Sequence, residues 1–318
     1  MSEAAPGTGS STVSGAKKGR HQPPFGGIVP PTPSMADFHT HTLRSDGILT
    51  PGELVRAAAA TGVRLLAITD HDTLAGVREL RRSGEIPEGL EVVPGIEINT
   101  VVGGDRDHVA EGEVHVLGIG VDPDDDALEA ALGRQRDARR TRFEKMIVRL
   151  RDLGVPIDAA LETLPVTTDE DALGRPRIAR ALIECGYAVS VEDAFNRHLS
   201  RGRPAYVPRE GLGPRDAIAA IRSAGGIASL AHYAEAPDNV EFLRELMDLG
   251  LNALEVHYRA YNLPTVTTLK KIATELRLLP TGGTDYHGDR ETYAEAHAQL
   301  WIPDEIANSV RTSLEVAV

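Results

Sequence analysis

The sequence predicts an α/β protein whose core is a barrel of (β/α) units with a helical insertion. Short, wholly apolar runs of strand length alternate with helical stretches through most of the 318 residues, a pattern typical of parallel strands covered on both faces. Six or seven such units suffice to close a barrel, and a doubly wound open sheet is the alternative. Residues 125–208 depart from the alternation because they are mostly helical, which predicts the insertion.

The first part of the predicted barrel spans residues 34–124. Its first helix is expected to begin at Thr50-Pro51, because threonine caps a helix and proline suits the first turn, and to end at Gly62. A second helix is predicted over 73–82. The predicted strands are ADFHTH (36–41), RLLAIT (64–69), LEVVPGIEI (90–98) and EVHVLGIG (113–120).

The second part of the predicted barrel, residues 209–318, continues the same alternation. Its predicted strands are GIASLAH (226–232), NALEVH (252–257), LLPTGGTD (278–285) and AHAQLWIP (296–303), with helices over 214–225, 239–250, 263–276 and 304–316. Between the two parts, the insertion is predicted to hold helices over 125–154, 157–164, 175–186 and 191–202, followed by a strand at AYVP (205–208).

The composition limits which binding partners and which cellular compartment are expected for the protein. The formal net charge of −13 disfavours long nucleic acid, which proteins bind by neutralising many phosphates with Lys and Arg. No apolar run approaches the ~18 residues that span a bilayer, so no membrane partner is expected. The single cysteine, Cys185, excludes an internal disulfide and fits a cytoplasmic protein. Residues 1–33 are rich in Gly, Ser and Pro without an apolar signal core, which predicts a disordered tail.

Residues that can bind metals collect at the ends of the predicted strands. Alternate side chains of a strand share a face, so His39 and His41 project side by side, with Asp46 in the loop that follows. The other strands carry Asp70, His71, Glu97, His115, His232, Asp285 and His287. Binding groups gather at the carboxyl ends of parallel strands, and nitrogen and oxygen donors without thiolates predict a catalytic centre for several divalent ions. Glu255 also ends a predicted strand, and two roles are open for it: an acid behind the metal ligands or a polar residue at the surface.

A basic stretch in the insertion suggests a site for a second anion. Residues 134–151 carry eight basic side chains against two acidic ones, in a protein of net charge −13. Helical spacing brings Arg136, Arg139 and Arg140 together, and either a solvated helix face or a phosphate-binding cap would explain the charge. A helix start also attracts anions, so the predicted substrate-binding residues are Arg136, Arg139, Arg142, Arg175 and Arg177.

The blocks HTHTLRSDG, ITDHD, PGIEI, HVLG, AH and GTDYHG, in this order, resemble the PHP (polymerase and histidinol phosphatase) family of metal-dependent phosphoesterases. The resemblance covers roughly 35–121 and 205–302 and implies a distorted (β/α)₇ barrel with two or three divalent ions, Mn²⁺, Zn²⁺, Fe²⁺ or Mg²⁺. It implies one ion held by His39, His41, Glu97 and Asp285, a second by Glu97, His115 and His232, and a third by Asp46, His71 and His287. Asp70 would lie behind the ligands and steady a histidine.

The insertion is similar to a narrower branch of that family, through the stretch GRPRIARALIECGYAVSVEDAFNRHLSRGRPAYVP. This branch has an inserted cap domain and includes phosphatases of 3′,5′-bisphosphate nucleosides and short-RNA 5′-3′ exonucleases. Arg177 stands where the branch usually has histidine in GRPHIA, and Tyr233 follows His232 where it usually has AHP. These departures bear on the choice of substrate.

The resemblance implies that the protein hydrolyses a phosphomonoester of a small nucleotide or short RNA end, by attack of a metal-activated hydroxide. The expected catalytic residues are Asp46, His71, His232 and His287. A histidinol-phosphate phosphatase shares this chemistry. An amidohydrolase-like C–N hydrolase is a further alternative, although no predicted strand ends in the lysine such barrels commonly use. The last alternative is a protein that senses a metal or phosphate without catalysing a reaction.

Overall fold

The structure, a computed structural model, describes residues 33–103, 112–164, 168 and 170–315, so nearly all of the predicted tail lies outside the described residues. Its single sheet has seven strands in the order of the sequence. They are β1 (Ala36–Asp37), β2 (Leu65–Ile68), β3 (Glu91–Val101), β4 (Glu113–Ile119), β5 (Ile227–Leu230), β6 (Ala253–Tyr258) and β7 (Leu279–Gly283).

The helices follow the predicted pattern, with the long insertion between β4 and β5. Before it come α1 (Pro51–Ala60) and α2 (Ala75–Ser83); the insertion holds α3 (Asp126–Asp152), α4 (Asp158–Thr163), α5 (Arg175–Glu184) and α6 (Val191–Ala194), which runs into a π-helical turn (Phe195–Leu199). The remaining helices are α7 (Pro214–Ser223), a 3₁₀ turn (Ala236–Asp238), α8 (Val240–Asp248), α9 (Leu263–Leu276), α10 (Tyr293–His297) and α11 (Asp304–Glu315). As expected, Thr50 caps α1: its side chain accepts a hydrogen bond from the Glu53 amide, and the Glu53 carboxylate accepts one from the Thr50 amide.

The sheet curls into a nearly closed barrel because its two ends meet. The Phe38 amide donates to the Gly282 carbonyl (3.1 Å) and the His41 amide donates to the Tyr286 carbonyl (3.0 Å), which joins the segment after β1 to β7 and the loop after it. The predicted distorted barrel is therefore confirmed, and the doubly wound open sheet is wrong.

One strand runs against the others. We expected parallel strands, but β4 pairs antiparallel with both β3 and β5, while the remaining neighbours are parallel. The reason is the connection between β3 and β4, which is shorter than the crossover of a dozen or more residues, usually containing a helix, that parallel neighbours need. As a result, the start of β4 lies at the barrel end where the other strands finish.

Two predicted strands are not formed. Residues 296–297 are the end of α10, 298–299 form a turn, 300–303 have no regular structure, and 205–208 form no strand. Leu300 and Ile302 pack with Val310 of α11 into one apolar cluster that also contains side chains of β1 to β6. The apolar character of this segment thus comes from core packing rather than from strand pairing.

The insertion has an apolar cluster of its own. Phe143 and Leu150 of α3 pack with Ile178 and Leu182 of α5, while α3 also contacts α7 of the barrel. Boundaries at 124 and 208 agree with this packing but stay a prediction. Among the described residues, no helix combines the length and apolar character that a membrane span requires.

Candidate metal centre

The structure brings the predicted metal-binding side chains together at one mouth of the barrel. Within each of three overlapping groups of the described residues, the candidate donor atoms all lie within 4.8 Å of one another. The groups are His39, His41, Glu97 and Asp285; His41, Asp46, His71 and His287; and His71, Glu97 and His115. His232 lies beside the third group, with its Nε2 3.2 Å from Oε1 of Glu97.

Short backbone contacts fix the positions of these side chains. The Asp285 amide donates to the His39 carbonyl (2.8 Å), and the Asp72 amide donates to the Glu97 carbonyl (2.9 Å), so the loops after β1, β2 and β7 are tied to one another and to β3. His232 and Asp285, directly after β5 and β7, have φ values of 31° and 49°. Non-glycine residues rarely adopt this left-handed region, and where they do the strain is concentrated at functional sites.

The antiparallel direction of β4 places His115. It lies near the start of β4, opposite Asn99 of β3 in the register. Because β4 is reversed, its first residues are at the same mouth as the carboxyl ends of the other strands. His115 therefore joins the cluster from the amino-terminal half of its strand, with Nδ1 2.8 Å from Oε1 of Glu97.

The first group fits a divalent cation. Nε2 of His39 lies 3.3 Å from Oε2 of Glu97 and 3.4 Å from Oδ1 of Asp285, and Nε2 of His41 lies 3.2 Å from each of the same two oxygens. Ligands at bond lengths of about 2.0–2.2 Å in a tetrahedral site lie about 3.4 Å apart, so the spacing matches. Several buried atoms of the cluster have no hydrogen-bond partner, namely His39 Nε2, His41 Nδ1 and Nε2, His71 Nδ1 and Glu97 Oε2.

His71 lies between two groups. Its Nδ1 is 2.9 Å from Oε2 of Glu97, and its Nε2 is 3.5 Å from Oδ2 of Asp46. Nε2 of His287 is 3.1 Å from the other oxygen of Asp46. The resemblance assigned His71 to the ion held by Asp46 and His287, whereas the geometry lets it face Glu97 as well.

Electrostatics hold the cluster together when no cation is present. Burial lowers the pKa of His39, but the carboxylates of Glu255 and Glu97 outweigh burial and hold that pKa well above its ordinary value. Burial also lowers the pKa of His287, but Asp46 more than compensates and the pKa is raised to about 10. Imidazolium groups therefore pair with carboxylates at these two histidines, whereas burial lowers the pKa of His115 to about 4; a metal ion would take the place of the bound protons.

Glu255, which the sequence left open, lies behind the ligands. It is fully buried, its Oε1 is 3.0 Å from Nδ1 of His39, and its Oε2 accepts a hydrogen bond from the His232 amide (2.7 Å). Such a carboxylate fixes the orientation of a metal-binding histidine. Tyr258 was not among the predicted site residues, yet its hydroxyl donates to Oδ2 of Asp285 (3.1 Å).

Asp70 has partners other than the predicted histidine. Its carboxylate accepts hydrogen bonds from the Thr42 amide (2.7 Å), the Thr42 hydroxyl (2.7 Å) and the Ser45 hydroxyl (2.8 Å). The expectation that Asp70 steadies a histidine is therefore corrected, because its described hydrogen bonds go to Thr42 and Ser45. Through these hydrogen bonds Asp70 shapes the turn that carries Asp46. Burial raises its pKa despite these hydrogen bonds.

Two of the predicted arginines are bound to the barrel. Arg139 pairs with the carboxylate of Asp72 and donates to the side-chain oxygen of Asn99. Arg136 donates to the Asp72 carbonyl and pairs with Glu129. Both side chains are buried, because α3 lies with its arginine face against the barrel. For these two residues, therefore, neither of the two explanations from the sequence, a solvated helix face or a direct contact with phosphate, is supported.

Other arginines form a positively charged pocket, here called the arginine pocket, which consists of Arg142, Arg175 and Arg209 around Glu113. Arg142 and Arg175 line a small cavity, and Nε of Arg209 donates to Oε2 of Glu113 (2.8 Å). Nη2 of Arg142 and Nη1 of Arg209 are buried without a hydrogen-bond partner. Burial and the neighbouring Arg209 and Arg175 lower the pKa of Arg142 to about 10. Arg209 was missed, since it lies alone in a loop, and the described hydrogen bond of Arg177 goes to the Leu161 carbonyl (3.4 Å) instead.

Comparison with known proteins agrees with the fold. The PHP domain model matches residues 37–161. The 5'-3' exoribonuclease Rnm of Salmonella typhimurium is 34% identical over 275 residues, which cover 84% of this chain and 89% of that protein. The 3',5'-nucleoside bisphosphate phosphatase of Chromobacterium violaceum is 29% identical over 265 residues, covering 80% and 88%.

A solved structure is similar as well. The crystal structure of a predicted metal-dependent phosphoesterase from Bifidobacterium adolescentis superposes with a TM-score of 0.74 and 31% identity, over 90% of this chain and 98% of that one. With the barrel and the His/Asp/Glu cluster, these similarities define a metal-dependent phosphoesterase. The chain belongs to the PHP family and is a phosphoric ester hydrolase.

Proposed function

We propose that the protein removes a phosphate from a small nucleotide that carries a second phosphate, either a 3′,5′-bisphosphate nucleoside or the end of a short RNA. The phosphate to be cleaved would bind at the metal cluster, and the second one against the arginine pocket, whose cavity of about 10 Å³ must widen by movement of the arginine side chains to admit it. The observation that carries the proposal is this buried, positively charged pocket next to the cluster. Both named relatives act on nucleotides or RNA, which supports the same substrate class.

The two sites are close because they share strand β4. Glu113, which holds Arg209, and His115 are alternate residues of β4, so their side chains lie on the same face, about 7 Å apart along the strand. The Asn99 amide nitrogen contacts Nε2 of His115, and its oxygen accepts from Arg139. A substrate in which one sugar separates two phosphates fits this arrangement better than a monophosphate does.

The donor set determines the mechanism we infer. Two or three divalent ions, held by the three groups, would lower the pKa of water and neutralise the phosphate oxygens. Glu255 keeps His39 oriented, and Tyr258 keeps the second oxygen of Asp285 in place. His232 and His287 are the most exposed histidines of the cluster, at 30% and 26% of their side chains, so they are best placed to contact the bound phosphate.

The lysine positions argue against the C–N hydrolase. The lysines of the described residues, Lys145, Lys270 and Lys271, lie on α3 and α9, so none of these ends a strand at the mouth. The cluster therefore lacks the bridging lysine that we associated with that alternative.

Phosphate release from a small set of esters tests the proposal. We expect adenosine 3′,5′-bisphosphate to react at least about tenfold faster, in kcat/KM, than adenosine 3′- or 5′-monophosphate, with Mn²⁺, Zn²⁺ or Mg²⁺ added in turn. Replacing Arg209 with Met should remove most of this preference, while Arg134→Met, on the exposed face of α3, should keep it. Equal rates for all esters, or faster hydrolysis of histidinol phosphate, would contradict the proposal.

A further inference from the structure

A second cavity opens beside the metal cluster, between the insertion and the barrel. Its volume is about 430 Å³, and its lining includes Asp285 and His287 of the cluster, Tyr258 and Arg290 of the barrel loops, and Phe195 and Asn196 of the insertion. This size lies within the range of pockets that bind small molecules. Because two residues of the cluster line the cavity, a molecule bound at the metals can extend into it.

Phe195 lies between this cavity and the arginine pocket. The guanidinium carbon of Arg175, which lines the arginine pocket, is 5.1 Å from the centre of the Phe195 ring. The ring is half-buried, and it begins the π-helical turn Phe195–Leu199. Such turns are rare and occur frequently at functional sites, where they redirect side chains. Phe195 is thus held on one side by a cation and exposes ring surface to the cavity.

Outside the metal cluster, the charged groups of the cavity balance one another: two are paired within the protein, and the two without an ion pair among the described residues, Arg290 and Glu192, have opposite charges, which favours a neutral, hydrogen-bonding ligand over a second phosphate. Asp289 is paired with Arg180 (2.8 Å), and Glu291 is paired with Arg259, so these charges are neutralised within the protein. The Asn196 amide, which is exposed, has no hydrogen bond to any other residue that the structure describes. An aromatic ring beside a primary amide is the combination that stacks a base and reads its edge.

We propose that this cavity binds the nucleobase of the substrate, stacked on Phe195 with the Asn196 amide at the base edge. This inference rests on the proposed function, because it places the base beside the sugar that joins a phosphate at the metal cluster to a phosphate in the arginine pocket. It adds a determinant of specificity outside both phosphate sites, and it predicts that the base contributes to recognition.

Comparing a substrate with its base-free counterpart tests this assignment. The substrates are adenosine 3′,5′-bisphosphate and the same sugar bisphosphate without adenine. For the Phe195→Leu variant we expect kcat/KM to fall at least about tenfold on the adenosine substrate, in line with the 1–3 kcal/mol of one stacked base, and less than twofold on the base-free one. Phe195→Tyr should restore the rate, and Val189→Ala, an exposed residue of the insertion, should change neither.

The outcomes separate the two proposals. Equal losses on both substrates, or no loss on either, would overturn the base site while leaving the phosphoesterase assignment intact. If the wild-type protein hydrolyses neither bisphosphate, the proposed function fails. Binding of a fluorescent base-modified adenosine bisphosphate then still tests the base site, because Phe195→Leu should weaken binding at least about tenfold and unchanged affinity would overturn it. Metal content and melting temperature are measured for each variant, so that a folding defect is recognised. If Phe195→Leu does not fold, Asn196→Ala, at an exposed position, replaces it in the comparison of the adenosine substrate with the base-free one.

Discussion

At the scale of single residues, the metal cluster depends on side chains held in unusual backbone conformations. Asp285 adopts φ 49° directly after β7, which directs its carboxylate toward His39 and His41. Aspartate and asparagine tolerate this region better than other non-glycine residues do. The residue that replaces Asp285 in a test of its role as a ligand should therefore also tolerate this backbone conformation, so asparagine is preferred to alanine.

We predict that Asp285→Asn removes at least one bound ion and lowers phosphatase activity at least about 100-fold, because a ligand amide cannot replace a shared carboxylate. Thermal unfolding of the metal-free protein should still be cooperative, at a lower melting temperature because a partly buried carboxylate that pairs with His39 and His41 is lost. Metal analysis, a phosphate-release assay and thermal unfolding measure the three quantities. Asp248→Asn, an exposed aspartate at the end of α8, is the matched control. Full activity with unchanged metal content would show that Asp285 is not a ligand.

The histidines of the cluster give a second prediction at this scale. Nearby carboxylates raise the pKa of His39, His41, His232 and His287 in the metal-free protein, so protons are bound there below the raised pKa values and are lost above them. A metal ligand must be deprotonated. Metal binding at pH 7 should therefore release protons, and affinity should increase from pH 6 to pH 8. Calorimetric titration in buffers of different ionisation enthalpy measures the release; no release, or uptake, would contradict it.

At the scale of elements, helix α3 is fixed to the barrel rather than resting on it. Arg139 pairs with buried Asp72, and the Gln135 side chain bridges the Asn99 carbonyl and the Leu212 amide. These contacts connect the insertion to the residues next to His115. The charged face of α3 thus supports the metal site from behind.

Removing one partner of this buried pair should be costly. We predict that Arg139→Met lowers the free energy of unfolding by roughly 3–5 kcal/mol, because Asp72 is left buried and unpaired. Arg134→Met, on the exposed side of the same helix, should stay within about 0.5 kcal/mol of the wild type. Urea unfolding of both variants checks the difference, and similar stabilities would refute the role of the pair.

At the scale of the whole molecule, barrel closure brings the ends of the sheet into contact at the metal site. A Cβ atom added at Gly283 would lie 2.3 Å from Cβ and 2.5 Å from the amide nitrogen of His39. Only glycine therefore lets β7 approach the segment after β1 closely enough for His39 and Asp285 to share a cation.

We predict that Gly283→Ala separates the two segments and lowers both stability and metal content. A loss of roughly 1–3 kcal/mol or more is expected for overpacking of this kind. Gly103→Ala adds a methyl group where no atom of the described residues lies within 4 Å and should leave both quantities unchanged. Thermal unfolding and metal analysis compare the two variants; a stable, fully loaded Gly283→Ala protein would contradict the closure argument.

The residue types at the strand ends, and with them the barrel and the metal chemistry, follow from local patterns in the chain. Strand period and apolar runs are local properties, so they indicated His39, His41 and Glu97, although β1 ends at Asp37 and both histidines lie in the segment after it. The length of the connection before β4 was also visible in the sequence. The antiparallel direction of β4 was nevertheless missed, because the apolar pattern of a buried strand does not depend on the direction of that strand.

Only the tertiary structure decided the partners of each charged side chain. Whether Glu255 faces water or His39, whether Arg139 faces solvent or Asp72, and whether Arg209 meets Glu113 depend on how helices and strands are rotated against one another. That rotation is fixed by contacts between residues far apart in the chain, and these leave no periodic signal in the sequence. The donor set could therefore be predicted from the chain alone, whereas the arginine pocket and the cavity beside Phe195 could not.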